Sequence, residues 1–256
     1  MRARLAPALT LLAVVVAWEL LVDGFRVPEY LLPAPSGIAH ALALEWRMLA
    51  FHTWVTLYEI LSGFALSIAV GVPLAMLIVA SPPFERSVYP LLVASQSVPK
   101  IAIAPLLIFW AGIGIFPKVL VAFAIAFFPI VIDTVAGLRA VEPEMLHLAR
   151  SMGAGNAKIF RKIRFPSALP HIFAGVKVAV TLAVVGAVVG EFIQADQGLG
   201  YVLQQATAVL NTRLGFAAIF ILALIGIALF VAVELLEHWL TPWSAARRSE
   251  LAAATP

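Results

Sequence analysis

Long apolar runs, separated by short polar segments, dominate this sequence. Six of them reach the length of about 20 residues that a membrane-spanning helix needs, and they cover residues 5–22, 53–80, 87–111, 117–139, 168–190 and 214–240. The first run follows two arginines, as a signal peptide would, but no small-residue cleavage site follows "AWELLVDGF", so we expect a retained span. The pattern predicts an all-α, polytopic membrane protein with six transmembrane helices.

The composition agrees with a membrane protein and excludes several kinds of site. Hydrophobic residues make up 62% of the 256 residues and charged residues only 12%, whereas soluble domains carry about a quarter charged residues. The absence of cysteine excludes disulfides, thiolate metal sites and cysteine nucleophiles. The five histidines show no metal-ligand spacing, so we expect no metal site, and the net charge of +3 does not indicate a nucleic-acid partner.

The distribution of basic residues predicts the orientation. If the N-terminus is cytoplasmic, six spans return the C-terminus to the cytoplasm, and eleven of the 17 Lys and Arg residues then lie inside against four outside. Cytoplasmic loops carry this excess of basic residues. We therefore expect two cytoplasmic termini and a single domain over residues 1–256, with a core at 53–243, a cytoplasmic loop at 140–167 and a flexible tail at 244–256.

The loop at 140–167 contains a well-organised polar segment, which predicts two short helices. Pro143 and Glu144 suit the first turn of a helix, and Gly153 suits its end. Between them an apolar stripe recurs at helical spacing, formed by Met145, Leu148, Ala149 and Met152. A basic second helix follows and ends at "FPSALP", where the fifth span starts. The stripe fits docking on a partner protein, and the basic residues alone would also fit a helix resting on anionic lipid.

The third span carries three prolines and a polar face. Pro90, Pro99 and Pro105 fall within sixteen residues, which predicts a broken helix lining a cavity, although ordinary helix packing is the alternative. Four polar residues near its middle are candidates for lining a translocation pathway: Ser95, Gln96, Ser97 and Lys100. The alternative for Lys100 is that its side chain snorkels or fills the gap at the kink.

Residues 147–166 resemble the EAA loop, the cytoplasmic signature loop of permease subunits in bacterial ABC importers. That pattern reads Glu-Ala-Ala, three residues, Gly, nine residues, Ile-x-Leu-Pro. Four residues match it with all spacings intact: Ala149, Gly153, Ile163 and Pro166. Three residues depart from it: His147, Leu148 and Phe165.

The resemblance extends from about residue 31 to residue 243 and is closest to the permeases of the nitrate, sulfonate, taurine and thiamine-precursor group. It rests on six stretches in the same order: "LPAPSGIAHAL", "HTWVTLYEILSGFALSIAVGVPLAML", "SVPKIAIAPLLIFWAGIGIFPKVL", "FFPIVIDTVAGLRAVEPEMLHLARSMGA", "VGEFIQADQGLGYVLQQA" and "ELLEHWLTPW". Six such stretches in order are far more specific than one.

The family implies a type I ABC importer permease in the bacterial inner membrane. Its expected partners are two cytoplasmic ATPase subunits, a second permease copy forming a homodimer, and an extracytoplasmic binding protein. The residues that would couple to the ATPase are Glu144, Met145, His147, Leu148, Ala149, Met152, Gly153, Ile163 and Pro166. The family also implies a small polar substrate, either a nitrate- or sulfonate-type anion or an organic nutrient such as a thiamine precursor, and the likeness slightly favours the organic nutrients.

No lysine follows a glycine in the sequence, so a Walker A phosphate-binding loop is absent. We therefore expect no cofactor on this chain and no catalytic residues, with ATP and Mg²⁺ bound by the partner ATPase.

Further charged and polar residues lie in or near the spans. Asp133 and Lys177 lie at similar depths from the cytoplasmic side, so we consider a buried ion pair between the fourth and fifth spans, with a structural role preferred to a substrate role. Glu191 and Gln194 follow the fifth span on the outer side. They are candidates for an outer gate or for contact with the binding protein, and a solvated loop is the alternative.

Two other kinds of membrane protein fit the sequence less well. An intramembrane protease needs paired aspartates or a serine–histidine site within the spans, and only Asp133 is central to a span. An ATPase-independent secondary transporter would have no use for a docking loop, and it stands as the alternative function.

Overall fold

A computed structural model of the protein describes residues 2–194 and 196–243, with side chains from residue 9 onward. The described residues contain helices and no strand, which confirms the all-α prediction. The predicted flexible tail 244–256 lies outside the described residues. The helices are α1 (Arg2–Gly24), α2 (Pro35–Leu44), α3 (Trp46–Ala80), α4 (Pro82–Ser95), α5 (Lys100–Ala111), α6 (Ile115–Arg139), α7 (Pro143–Ser151), α8 (Asn156–Ile159), α9 (Phe165–Ile193), α10 (Leu199–Ala208) and α11 (Thr212–Leu240).

The described helices account for five of the six predicted spans. Four continuous helices are long and apolar enough to cross a membrane: α3, α6, the stretch Asn156–Ile193 and α11. Helices α4 and α5 pass the same test as a pair, with a bend of 100° between them. The remaining predicted span, 5–22, falls within α1, whose side chains are described only from residue 9, so a sixth span stays a prediction.

The break between α4 and α5 confirms the prediction of a broken third span. It covers residues 96–99 and ends at Pro99, which precedes α5 in an extended conformation. A proline offers no backbone N–H and disfavours helical geometry in the residue before it, so the sequence "SVP" favours the break. Pro90 and Pro105 lie inside α4 and α5 and do not interrupt them.

Packing of α3 against α6 decides whether the bent pair crosses the membrane or turns back. A Cβ placed on Gly63 would lie 2.6 Å from the Cβ of Ala122, and one placed on Gly71 would lie 3.1 Å from Cγ2 of Ile130. Both contacts advance by the same number of residues in the same direction, so α3 and α6 run parallel. One crossing must separate two parallel spans, and the α4–α5 pair supplies it.

An ion pair gives the same direction independently. Arg139, at the end of α6, pairs with Glu85 in the first turn of α4 and lies 4.9 Å from the ring centroid of Tyr89. The apolar core continues this contact, because Val131 and Val135 of α6 pack against α4. If α4 and α5 formed a re-entrant loop, α6 would start on the side of the membrane where α4 starts. Arg139, at the end of α6, would then lie on the opposite side and could not reach Glu85. The pair is therefore one broken span.

Helix α9 packs antiparallel to α6 through three glycines that permit close approach. A Cβ on Gly175 would lie 2.8 Å from the Cβ of Asp133, one on Gly186 would lie 2.6 Å from Cα of Ala122, and one on Gly190 would lie 3.1 Å from Cα of Lys118. Small residues at such contacts let helix backbones approach where lipid offers no hydrophobic driving force. A side chain at Gly175 or Gly186 would push the two spans apart, because its Cβ would come within 3.0 Å of α6.

The chain divides into two compact units, and the boundary falls within three of the long helices. Unit 1 comprises Met1–Tyr58 and Glu191–Leu224, and unit 2 comprises Glu59–Gly190 and Ile225–Pro256. In unit 1, Ser36 donates from its backbone N–H and its hydroxyl to the carboxylate of Glu19, at 3.0 and 2.5 Å. Arg213 pairs with Glu29, and the Trp18 and Phe216 rings lie 6.0 Å apart. The single domain proposed over residues 1–256 stays a prediction.

Candidate functional site

Helix α7 presents the predicted apolar stripe to its surroundings rather than to the rest of the chain. The exposed fractions are 48% for Met145, 62% for Leu148 and 79% for Met152, while Ala149 is half-buried. Pro143 occupies the first turn with Glu144, which is exposed. A nine-residue helix is too short to be stable by itself in water. Its uncovered apolar face therefore suits a protein partner.

Gly153 ends α7 in the left-handed conformation that the sequence predicted, with φ of 79°. Its N–H donates to the carbonyl of Arg150 at 2.9 Å, and the N–H of Ala154 donates to the carbonyl of Ala149 at 3.0 Å. These two bonds form a Schellman motif, which satisfies carbonyls at the end of a helix. The motif fixes the direction in which the chain leaves α7.

The expectation that the second loop helix ends at "FPSALP" is wrong. Helix α8 continues through a π-helical turn, Phe160–Arg164, directly into α9, so that Asn156–Ile193 forms one long helix. The wider turn lies immediately before Pro166, whose missing N–H would leave a carbonyl unpaired in a regular α-helix. Ile163 and Pro166 are both half-buried within this junction. Helix α8 is therefore continuous with the span that follows it.

Most of the remaining loop side chains are exposed. His147, which stands where the family pattern has glutamate, has no hydrogen bond or ion pair within the part of the chain that the structure describes. The basic side chains of Lys158, Arg161 and Lys162 are also exposed. The surface of α7 and α8 thus combines an apolar stripe with a group of cations.

A groove of about 320 Å³ opens at the break between α4 and α5. Two of the four predicted pathway residues, Gln96 and Lys100, line it. The other two do not: the Ser95 hydroxyl donates to the carbonyl of Leu92 at 2.7 Å, and Ser97 is exposed outside the groove. The rest of the lining is apolar and consists of Val98, Pro99, Ile101, Ile125, Leu182 and Val185.

The ammonium group of Lys100 already has an aromatic neighbour. Its Nζ lies 4.5 Å from the ring centroid of Phe128, which is within the range of a cation–π interaction. This contact stabilises the charge where an unpaired ammonium would be costly. The groove therefore offers one amide and one partly engaged cation on an otherwise apolar wall.

The ion pair considered between Asp133 and Lys177 is not formed, and Lys177 pairs with another residue. The Nζ of Lys177 lies 2.7 Å from Oε2 of Glu237 in α11. The side chain of Asp133 instead packs against Gly175 of α9. Residues two apart on a helix do not share a face, so Lys177 points away from α6 when Gly175 faces it. The depth of a residue along its span does not show which side of the helix it occupies, so the sequence could not exclude the Asp133–Lys177 pair.

A second buried ion pair was missed by the sequence reasoning. The Nζ of Lys118 lies 2.7 Å from Oε1 of Glu59, and the two side chains are 4% and 0% exposed. The predicted second and fourth spans start at residues 53 and 117, so both residues fall near the ends of their predicted spans. Helix α3 begins at Trp46, well before the predicted start of the second span, and this extension places Glu59 deep inside the helix.

The predicted outer residues Glu191 and Gln194 differ in their surroundings. Glu191 is fully buried, and its carboxylate accepts hydrogen bonds from the Thr56 hydroxyl at 2.6 Å and from the N–H of Gly200. A carboxylate enclosed in this way presents no surface for a binding protein, which contradicts that part of the expectation for Glu191. Gln194 is half-buried. Among the described residues, no group of three or more His, Asp or Glu side chains could hold a metal ion.

Comparisons with known proteins agree on the kind of molecule. Residues 67–243 match the family of binding-protein-dependent transport system inner membrane components. The chain is 40% identical to the formylaminopyrimidine transport permease ThiX of Halalkalibacterium halodurans, over 93% of this chain and 96% of that protein. It is 38% identical to the riboflavin transport system permease RibX of Chloroflexus aurantiacus, over 92% and 89%.

More distant relatives extend the same result. The taurine transport system permease TauC of Escherichia coli is 27% identical over 91% of this chain and 88% of that protein. A chain from an inward-facing structure of the MetNI methionine ABC transporter matches with a TM-score of 0.56 and 22% identity, over 75% of this chain and 98% of that one, and it shows the fold. The chain therefore belongs to the family of binding-protein-dependent transport system inner membrane components and is the transmembrane permease subunit of an ABC importer.

Proposed function

We propose that this permease is powered through α7, which docks its stripe into a cytoplasmic ATPase subunit. The observation that carries the proposal is the exposure of Met145, Leu148 and Met152 along a helix whose C-terminal end is closed by the turn at Gly153. Thioether side chains adapt to a partner's surface, and an amphipathic helix in a groove is a common mode of docking. The ATPase would bind and hydrolyse ATP with Mg²⁺, and this chain would bind neither.

The assembly that follows from the family has two copies of this permease, two ATPase subunits and an extracytoplasmic binding protein. The inner side is the side of the 140–167 loop, where basic residues accumulate. For a chain with six spans, the same rule places both termini in the cytoplasm. The parallel course of α3 and α6 agrees with this number of spans, because it requires one crossing between the two helices. The alternative of an ATPase-independent secondary transporter finds no support among the relatives.

The substrate class that we propose is a planar nitrogen heterocycle, such as a thiamine-precursor pyrimidine. Two relatives, 40% and 38% identical to this chain, are named as permeases for formylaminopyrimidine and riboflavin. The relative named as a taurine permease is less similar, at 27% identity. The groove supports this choice, because its apolar wall suits a flat ring and the Gln96 amide could bond a ring edge. A compact oxyanion would need several donors, and Lys100 already lies against Phe128.

The test is uptake by proteoliposomes that contain the permease and its ATPase, with the binding protein and labelled formylaminopyrimidine supplied outside. We expect Met152→Asp to lower ATP-dependent uptake at least about tenfold, because a carboxylate would enter an apolar docking cleft without a partner. The matched control is Ser151→Asp, which adds the same charge one residue away, about 100° around the helix. Equal uptake by the two variants would refute docking through the stripe.

Competition in the same assay tests the substrate class. An excess of unlabelled riboflavin or another pyrimidine should compete with the labelled substrate for uptake, and taurine or nitrate should not. Efficient competition by taurine alone would refute the heterocycle assignment while leaving the docking result in place.

A further inference from the structure

The first turn of α10 is capped by side chains from two other helices. Gly198 precedes the helix and has no side chain to cap it. Its N–H donates to Nδ1 of His52 at 3.0 Å, and the N–H of Leu199 donates to Oγ1 of Thr56 at 2.7 Å. The N–H of Gly200 donates to Oε2 of Glu191. Three consecutive N–H groups that a helix leaves unpaired are thus satisfied from α3 and α9.

These residues are linked through Thr56, whose hydroxyl lies 3.1 Å from the backbone carbonyl of His52 and is bonded to Glu191. The Thr56 hydroxyl accepts from Leu199 and lies 2.6 Å from Oε1 of Glu191, to which it donates. Thr56 and Glu191 are fully buried, and His52 is 9% exposed. A buried carboxylate is tolerated only while its oxygens are hydrogen-bonded, and bonds in a chain reinforce one another. The bonds of the network therefore form and break together.

The backbone at both ends of α10 is specialised to hold this arrangement. Gly198 has φ of 115°, and a Cβ there would lie 2.0 Å from Oε1 of Glu191, so only glycine lets the carboxylate reach the helix end. At the other end, Leu210 adopts φ of 56°, and the N–H of Asn211 bonds to the carbonyl of Ala206 at 2.8 Å. This backbone bond closes the C-terminal end of α10 with a left-handed residue.

Helix α10 remains on one side of the membrane. Its ten residues extend about 15 Å, half of a hydrocarbon core, and it follows span α9 and precedes span α11. In the proposed orientation, α9 leads away from the cytoplasmic loop, so α10 lies on the side where a binding protein would deliver solute.

We propose that Glu191, Thr56 and His52 are positioning residues that latch α10 in its closed place on the outer side, and that opening to the outside requires this network to break. The inference rests on the proposed function, because it assigns α10 to the outer side of an importer. The network joins α3, α9 and α10 at one point, so any separation of these helices on that side must break it. The three residues touch no solute in this role.

The test uses the absence of native cysteine. Ala206 is 1% exposed in α10, so Ala206→Cys introduces a single small thiol that a membrane-impermeant maleimide reaches only when α10 moves. In the assembled transporter in nanodiscs, we expect Thr56→Val to raise the labelling rate at this position about tenfold, since it removes the hydrogen bonds that the Thr56 hydroxyl makes with Leu199 and Glu191. Thr56→Ser retains the hydroxyl and should restore the slow rate.

The matched control is Thr181→Val, which removes a hydroxyl that, among the described residues, bonds only to the carbonyl of Val178 within its own helix. It should label at the rate of the parent. We also expect the parent itself to label faster when ATP and the binding protein are both present. If Thr56→Val labels at the parent rate, or if the parent rate is the same in every state, the latch is refuted.

The two proposals fail in different measurements. Uptake that needs neither ATP nor binding protein would refute the proposed function. The ratio of labelling rates between Thr56→Val and Thr56→Ser in the permease alone would still decide whether the network holds α10.

Discussion

Two short helices that connect long spans, α7 and α10, show opposite solutions to the same problem. Helix α7 has nine residues and α10 has ten, and each is too short to persist alone. Helix α10 buries Leu199, Val202 and Ala206 and has its first turn bonded by other helices. Helix α7 leaves its apolar residues uncovered and is held by its own backbone motif. The apolar face of α10 is covered within the chain, and the apolar face of α7 is not.

Helix α10 is thus held in place by the rest of the permease, whereas α7 is exposed for a partner protein. The polar groups that fix α10 are buried, and two of them, on His52 and Thr56, lie more than 140 positions away in the sequence, so the place of α10 is set by the fold. The features that fix α7 lie within twelve consecutive residues, from Pro143 to Ala154. Substitutions in α10 should therefore change stability, and those in α7 should chiefly change coupling.

The largest expected effect on stability belongs to Gly198→Ala at the start of α10. The new Cβ would meet the Glu191 carboxylate at 2.0 Å, and the alanine would have to adopt a φ of 115°. Displacing the carboxylate removes the cap and adds backbone strain, which together cost about 3 kcal/mol. Thermal unfolding of the purified permease should show a clearly lowered Tm. A Tm equal to that of the parent would mean that the network does not hold α10.

A smaller effect is expected from Gly153→Ala at the end of α7. The φ of 79° is also unfavourable for alanine, but nothing lies within 4 Å of the added Cβ. The cost is then backbone strain alone, about 1 kcal/mol, and falls locally on α7. The Tm should change little while ATPase binding weakens. A loss of Tm as large as that of Gly198→Ala would remove the contrast between the two helices.

The fold could be predicted largely from local signals. Apolar runs located the described spans, and the three prolines of the third span predicted the break that the structure places at residues 96–99. Gly153 could be assigned to a helix end because a left-handed turn leaves a residue signature. The continuity of α8 with α9 was missed, since a π-helical turn before Pro166 has no comparable signature in the sequence.

Side-chain pairing could not be predicted to the same extent. Depth along a span suggested Asp133 and Lys177 as partners, but helix rotation decides such contacts, and Lys177 points towards Glu237 instead. The Glu59–Lys118 pair was hidden because α3 extends beyond the predicted span. The network around Glu191 joins Thr56 to residues more than 130 positions away, so no local sequence pattern predicts it.

The most direct test of the central claim is photo-cross-linking from α7 in the assembled transporter. A photoreactive maleimide attached to the single thiol of Leu148→Cys should join the permease to an ATPase subunit, because Leu148 is exposed on the stripe. The same reagent on Thr181→Cys, exposed on a membrane span, should give no cross-link to an ATPase subunit. If position 148 also gives no such cross-link while the transporter is active, the claim that α7 receives the ATPase is wrong.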